Sequence, residues 1–206
     1  MNFFRSESSL HLTSPQEFFY QCVSSTVQKQ NIKIEPNIEY YLVNLLCDFV
    51  EQDKIKNRCQ DFDLFDTPLA FFLEKEREAS TSERIKILKG MGDLTLYISG
   101  YFQDYFNRRS VGLNYYIDMG SQAYSRLSTI IRDQDDNFSR IYAELAQNFP
   151  LLVDVVADIS ESLSPTKETK DILFIYERWQ NNHSDRLRKK LEEKGISPIP
   201  SSKNKQ

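Results

Sequence analysis

Glycine and proline are scarce in this chain, and their scarcity most constrains how it can fold. Only 6 Gly and 7 Pro occur among 206 residues. The turns of a many-stranded sandwich or barrel use both residue types heavily, so the shortage favours helices. With 40% hydrophobic and 27% charged residues, the composition is that of a globular domain that buries a core. It is not that of a disordered or collagen-like chain.

Apolar residues recur at the spacing of amphipathic helices along most of the chain. We therefore expect an all-α fold, a single bundle of about seven helices over residues 14–195. Residues 1–13 are expected to form a flexible N-terminus. Residues 196–206, rich in Pro, Ser and Lys, are expected to form a disordered C-terminal tail.

Helix starts are marked by residues that cap backbone N–H groups. Ser14-Pro15 predicts one start, and Ser80-Thr81-Ser82-Glu83 predicts another. Asp135 should cap a helix that Pro150 ends or kinks. The last helix is predicted to open at Ser164-Pro165-Thr166 and to continue until shortly before Gly195.

Charge is distributed unevenly. The net charge of −4 argues against nucleic acid as the partner of the whole domain, because phosphate binding needs concentrated Lys and Arg. Residues 183–206, however, carry seven Lys and Arg against three acids. Four cations of the last helix form a candidate basic arm for an acidic protein face, a nucleic acid or an anionic lipid surface: Arg186, Arg188, Lys189 and Lys190. The competing interpretation is a solvated helix end.

Five of the six glycines fall between positions 90 and 120. Glycine inside a helix is unfavourable relative to alanine by roughly 0.5–1 kcal/mol, so the cluster requires a reason. Gly90 is a candidate for a helix end, and Gly112 is a candidate for a turn. Gly92 and Gly120 would let two helices approach closely, and a third reason is room for a ligand. We favour packing and capping over the ligand.

Ionisable and aromatic side chains surround these glycines. The candidate ligand-binding residues are Asp93, Arg108, Arg109, Tyr116 and Tyr124, with Arg126 nearby, in a pocket predicted between helices 82–106 and 113–133. Arg presents a fork to carboxylate or phosphate, and a buried Asp can act as a base. Against this, Asp93 follows Lys89 by one turn, the arrangement of a surface ion pair, which favours a solvated or structural role.

The same segment resembles a known family. The residues that carry the resemblance are Gly92-Asp93, Gly100-Tyr101-Phe102, Arg108-Arg109, Tyr115-Tyr116, Met119-Gly120 and Ala123-Tyr124. They are similar to a family of small, uncharacterised bacterial cytoplasmic helical proteins. The resemblance implies a bacterial cytoplasmic protein and assigns no activity, so no functional residue is carried over from it.

Metal and cofactor sites are not expected. The only histidines, His11 and His183, belong to no pair with metal-ligand spacing. The segment 133–144 has calcium-loop spacing, but Phe138 occupies the position that requires glycine. We interpret that segment as an acidic helix-capping turn. No phosphate-binding glycine loop is present, so no nucleotide cofactor is predicted.

Cysteine content and hydropathy indicate the cellular compartment of the protein. Cys22, Cys47 and Cys59 are an odd number without paired spacing, which favours thiols in a reducing cytoplasm. No segment approaches the ~18 uncharged apolar residues of a membrane span. A cytoplasmic location is therefore expected.

The leading hypothesis is a non-enzymatic protein, a regulator or adaptor that acts by binding another protein. No recognised catalytic set is present, and Tyr and Phe, which suit interfaces, are abundant. Two alternatives stay open. One is a small-molecule-binding or catalytic bundle that uses the pocket above, and the other is nucleic-acid binding by the basic arm. The sequence also leaves self-association open.

Overall fold

A computed structural model describes residues 14–50, 69–106, 112–163 and 172–198, and every regular element within these ranges is a helix. The all-α prediction is confirmed. None of the described helices has the length and apolar character needed to cross a bilayer. In chain order the helices are α1 (Pro15–Gln30), α2 (Pro36–Val50), α3 (Leu69–Glu78), α4 (Thr81–Tyr101), α5 (Gln103–Phe106), α6 (Leu113–Ile131), α7 (Asp136–Gln147), α8 (Phe149–Leu163), α9 (Ile172–Asn182) and α10 (Asp185–Glu193).

The predicted helix starts at Ser14, Ser80 and Asp135 are confirmed. The Ser14 hydroxyl accepts a hydrogen bond from the backbone N–H of Glu17 at 3.2 Å. Ser80 and Glu83 form the reciprocal capping pair, in which the Glu83 carboxylate accepts from the Ser80 N–H at 2.9 Å. Asp135 Oδ1 accepts from the N–H groups of the first turn of α7. Each cap satisfies donors that the helix itself leaves unpaired.

Helix α4 is the central element of the bundle. Every residue from Gly90 to Gly100 is buried, because α6 and α8 cover it and α2 and α3 also contact it. A helix packed on several sides must be apolar or small around its circumference. Gly90 lies inside this helix, so its predicted role as a helix end is wrong.

The prediction of one long final helix is also wrong. His183, with φ of 51°, interrupts the chain, and the Ser184 side chain then caps α10. The resulting pair, α9 and α10, has its own small core of Ile175, Trp179, Leu187 and Leu191. Ile196, assigned to the tail from sequence, packs against this core.

The helix that Asp135 caps ends before Pro150, as predicted, and is not kinked by it. Helix α7 ends at Gln147, and Pro150 falls in the first turn of α8. A proline there is tolerated because the first N–H groups of a helix have no intrahelical acceptor. Phe149, the first residue of α8, packs against α6 at Gly120.

Candidate functional site

Asp93 lies in the core, not at the surface. Its ion pair with Lys89 exists as predicted, with Nζ and Oδ2 2.6 Å apart. Of the solvated or structural role expected for Asp93, the solvated alternative is wrong, because the Asp93 side chain is 0% exposed and only the Lys89 side chain, at 36%, reaches water. The error has a physical origin: a one-turn spacing shows which side chains are neighbours, but not which other helices cover them.

Two tyrosines complete the shell around Asp93. The hydroxyls of Tyr41, on α2, and Tyr124, on α6, both donate hydrogen bonds to Asp93 Oδ1, the second at 2.7 Å. Tyr142, on α7, packs against both rings, with centroids 6.0 Å and 5.8 Å away. The carboxylate therefore links three helices directly, and Tyr142 attaches a fourth through ring contacts.

The electrostatics of this cluster keep both hydroxyls protonated. Burial, and then the negative charge of Asp93, raise the pKa of Tyr41 and of Tyr124 well above the ordinary value. A phenol that stays neutral remains a donor, and charge-assisted hydrogen bonds of this kind are the strong ones. Because both Asp93 oxygens are already bound, the geometry is that of a structural tie and not of an open acid–base centre.

The glycines explain why the helices approach so closely here. A Cβ at Gly92 would lie 2.4 Å from the Tyr124 ring, and one at Gly120 would lie 2.2 Å from Phe149 and 2.3 Å from the Thr95 hydroxyl. These distances are far inside van der Waals contact. The packing interpretation of these two glycines is confirmed, because the rings of Tyr124 and Phe149 occupy the space beside them.

Of the five predicted ligand-binding residues the structure describes three, and Tyr116 lies apart from the other two. Asp93 and Tyr124 are hydrogen-bonded to each other. Tyr116 lies eight residues earlier on α6, about 12 Å along the helix axis, and packs on Phe106 with centroids 4.7 Å apart. Arg108 and Arg109 lie outside the described residues.

The sequence did not identify Tyr41 as part of this group. Tyr41 lies on a mostly apolar helix face, where a hydroxyl needs a partner. That pattern predicts that the Tyr41 hydroxyl has a buried hydrogen-bond partner, but it does not say which residue the partner is. The partner comes from a helix more than fifty positions away, and no local spacing predicts such a contact.

The predicted basic arm is divided between two environments. Arg186 is 4% exposed at its side chain and pairs with Asp158 and Glu161 at 3.4 and 3.0 Å. Lys190 pairs with the same two acids at 2.9 and 2.7 Å. Neither cation is a free surface charge of the kind that the candidate basic arm requires, because the acids of α8 bind both. Arg188 pairs on the surface with Asp185 and Glu192, and Lys189 is exposed.

The surroundings shift the pKa values of the acids in this network in opposite directions. Burial alone would raise the pKa of Asp158 and of Glu161, but the cations from α10 outweigh it and lower each pKa to about 2. For Asp154, burial dominates and raises the pKa, although the Ser184 hydroxyl donates to it at 2.7 Å. The acidic side of α8 thus holds α10 in place.

No group of three or more His, Cys, Asp or Glu suited to a metal ion is found where the chain is described. Comparison with protein-family models, with curated proteins and with solved structures finds no match.

Proposed function

We propose that this chain is a non-enzymatic helical protein that acts by binding another protein. The observation that carries the proposal is the α1–α2 hairpin, which exposes three large aromatic side chains. Tyr40 is 66% exposed, Tyr20 55% and Phe18 39%. Tyr and Phe supply much of the contact area at protein interfaces and are unfavourable in water.

The packing of α1 supports the same proposal. Only Phe19, Val23 and Thr26 of its sixteen residues are buried, so one narrow side attaches the helix to the bundle. Cys22 and Val27 are partly buried beside them, and the exposed residues on the other side of the helix can contact a partner. The closed hydrogen bonding of Asp93 also favours binding over catalysis, because its oxygens are engaged within the chain.

A cytoplasmic location belongs to this proposal. It is supported by Cys22, which is a free thiol. Thiols of this kind are typical of a reducing compartment. The partner is another protein, and a second copy of this chain is one form that it can take.

The test compares three versions of the full chain in quantitative affinity capture and in sedimentation. The hairpin variant is Tyr20→Ser with Tyr40→Ser, and the matched control is Tyr115→Ser, a tyrosine 41% exposed on α6. We expect one partner, or self-association, to be retained by wild type and control. In the hairpin variant it should weaken about tenfold or more, a loss of roughly 1.4 kcal/mol.

Equal capture by all three versions would contradict the proposal, and so would a strictly monomeric chain that captures nothing. Circular dichroism and thermal melting must first show that the variants are folded. Because all three tyrosines are exposed, their replacement should change stability little.

A further inference from the structure

Glu76 is a buried acid held by arginines from two helices. It lies on α3, and its side chain is 2% exposed. Oε1 accepts hydrogen bonds from Nε and Nη2 of Arg84, each at 3.0 Å, and Oε2 accepts from Nη2 of Arg126. One carboxylate therefore orients two guanidinium groups.

Arg126 has N–H donors that no described residue uses. A guanidinium carries five N–H donors in a fixed plane, and Arg126 uses Nη2 alone toward the described residues. Its side chain is 45% exposed. The buried Glu76 thus fixes one edge of this fork while the remaining N–H groups stay available at the surface.

The fork borders a surface groove between α3 and α6. The groove has a volume of about 490 Å³ and is lined by Leu73, Glu74, Glu76, Arg77 and Arg126. That volume lies within the range of sites for small molecules. Arg77 is exposed and forms no ion pair with the described residues.

The charge balance at this place is positive. Three arginines, Arg77, Arg84 and Arg126, surround two glutamates, Glu74 and Glu76. Since Arg84 and Arg126 both bind Glu76, this group of five side chains carries one surplus positive charge. Leu73 adds an apolar wall beside the two groove arginines.

We propose that this groove binds a small organic anion, a carboxylate or a phosphate monoester that carries an apolar group. Arg126 and Arg77 bind the anion, and Leu73 contacts the apolar part. Glu76 is a positioning residue that keeps the Arg126 fork in one orientation before the ligand arrives. Preorganised guanidiniums bind planar carboxylates and phosphates better than mobile ones because less side-chain freedom is lost.

The test is calorimetric titration of the full chain with phenyl phosphate and with benzoate at constant salt. We expect saturable one-to-one binding of at least one of them, and the two probes distinguish a phosphate from a carboxylate site. Arg126→Gln and Arg77→Gln should each weaken it about tenfold, roughly 1.4 kcal/mol. The matched control is Arg140→Gln, an arginine 77% exposed that pairs with Asp136 away from the groove.

Arg126→Lys tests the positioning by Glu76. Lysine keeps the charge but lacks the fork, so affinity should fall nearly as far as in Arg126→Gln. Affinity equal to wild type would overturn the positioning role. No saturable heat with either probe, or equal losses in Arg126→Gln and Arg140→Gln, would overturn the site. Arg77→Gln keeps the test valid if Arg126 variants unfold. The outcome is independent of protein capture, so either proposal can fail alone.

Discussion

Replacing Gly120 with alanine tests how closely α6 packs in the bundle. In an ordinary helix this change is stabilising by up to about 1 kcal/mol, because alanine has the higher helix propensity. Here the new methyl group would meet Phe149 at 2.2 Å and the Thr95 hydroxyl at 2.3 Å. Neither neighbour moves easily: Phe149 is fully buried, and the Thr95 hydroxyl is hydrogen-bonded to the Met91 carbonyl at 2.7 Å.

The expected magnitude follows from these two opposing effects. Carbon atoms pack at about 3.5–4.0 Å, so the contacts must open by more than about 1 Å. Overpacking of this kind destabilises by about 1–3 kcal/mol, and the short distances favour the upper end of that range. After the helix-propensity gain is subtracted, a net loss of about 2 kcal/mol remains. For a chain of this length that lowers Tm by roughly 4–8 °C.

The assay is urea and thermal unfolding followed by circular dichroism, with Gly112→Ala as the control. A Cβ at Gly112, the N-cap of α6, meets nothing within 4 Å, so the control should lose less than about 1 kcal/mol. A Gly120→Ala protein that melts at or above the wild-type temperature would refute the close approach of α6 to Phe149 and Thr95.

The stability of the C-terminal helices and of the Ser80 cap can be tested in three further ways. Between about pH 4.5 and pH 2 the α9–α10 pair should lose stability, on the order of 2–3 kcal/mol per acid. The pKa values of Asp158 and Glu161 are about 2 in the folded chain against ordinary values of 3.8 and 4.5, so their contribution is present above the ordinary values and lost as they protonate. The fluorescence of Trp179, the single tryptophan, reports this transition, and a urea midpoint that does not fall across that range would contradict it. Arg186→Leu should destabilise the pair by about 3–5 kcal/mol by the same fluorescence, since it leaves buried acids short of a partner; an unchanged midpoint would show that the network does not hold α10. Ser80→Ala should cost about 1 kcal/mol in thermal unfolding, whereas Ser82→Ala, which removes no cap, should leave Tm nearly unchanged.

The fold was predictable because local chemistry sets it. Ser14, Ser80 and Asp135 cap helices as their side chains allow, and the apolar spacing shows which faces turn inward. The break at His183 was missed because the pattern of Trp179 and Leu187 continues across it, and a left-handed residue other than glycine leaves a weak signal.

The candidate site was less predictable because its contacts are long-range. The sequence brought Asp93 and Tyr124 into one group, but it could not supply Tyr41 from α2. It also included Arg126 among the charged residues of the segment, yet Glu76 and Arg77 lie some fifty positions earlier. Which acid meets which arginine depends on how α3 lies against α6, and single-sequence periodicity does not contain that information.

Asp93 is a structural tie between helices, and a double-mutant cycle measures this role through its hydrogen bond with Tyr124. Asp93→Asn, Tyr124→Phe and the double variant are compared with wild type in urea unfolding. A direct, buried, charge-assisted hydrogen bond predicts a coupling energy of about 1–3 kcal/mol, with the double variant losing less than the sum of the single variants. A coupling energy near zero would contradict this structural role and show that Tyr124 does not bind the Asp93 carboxylate.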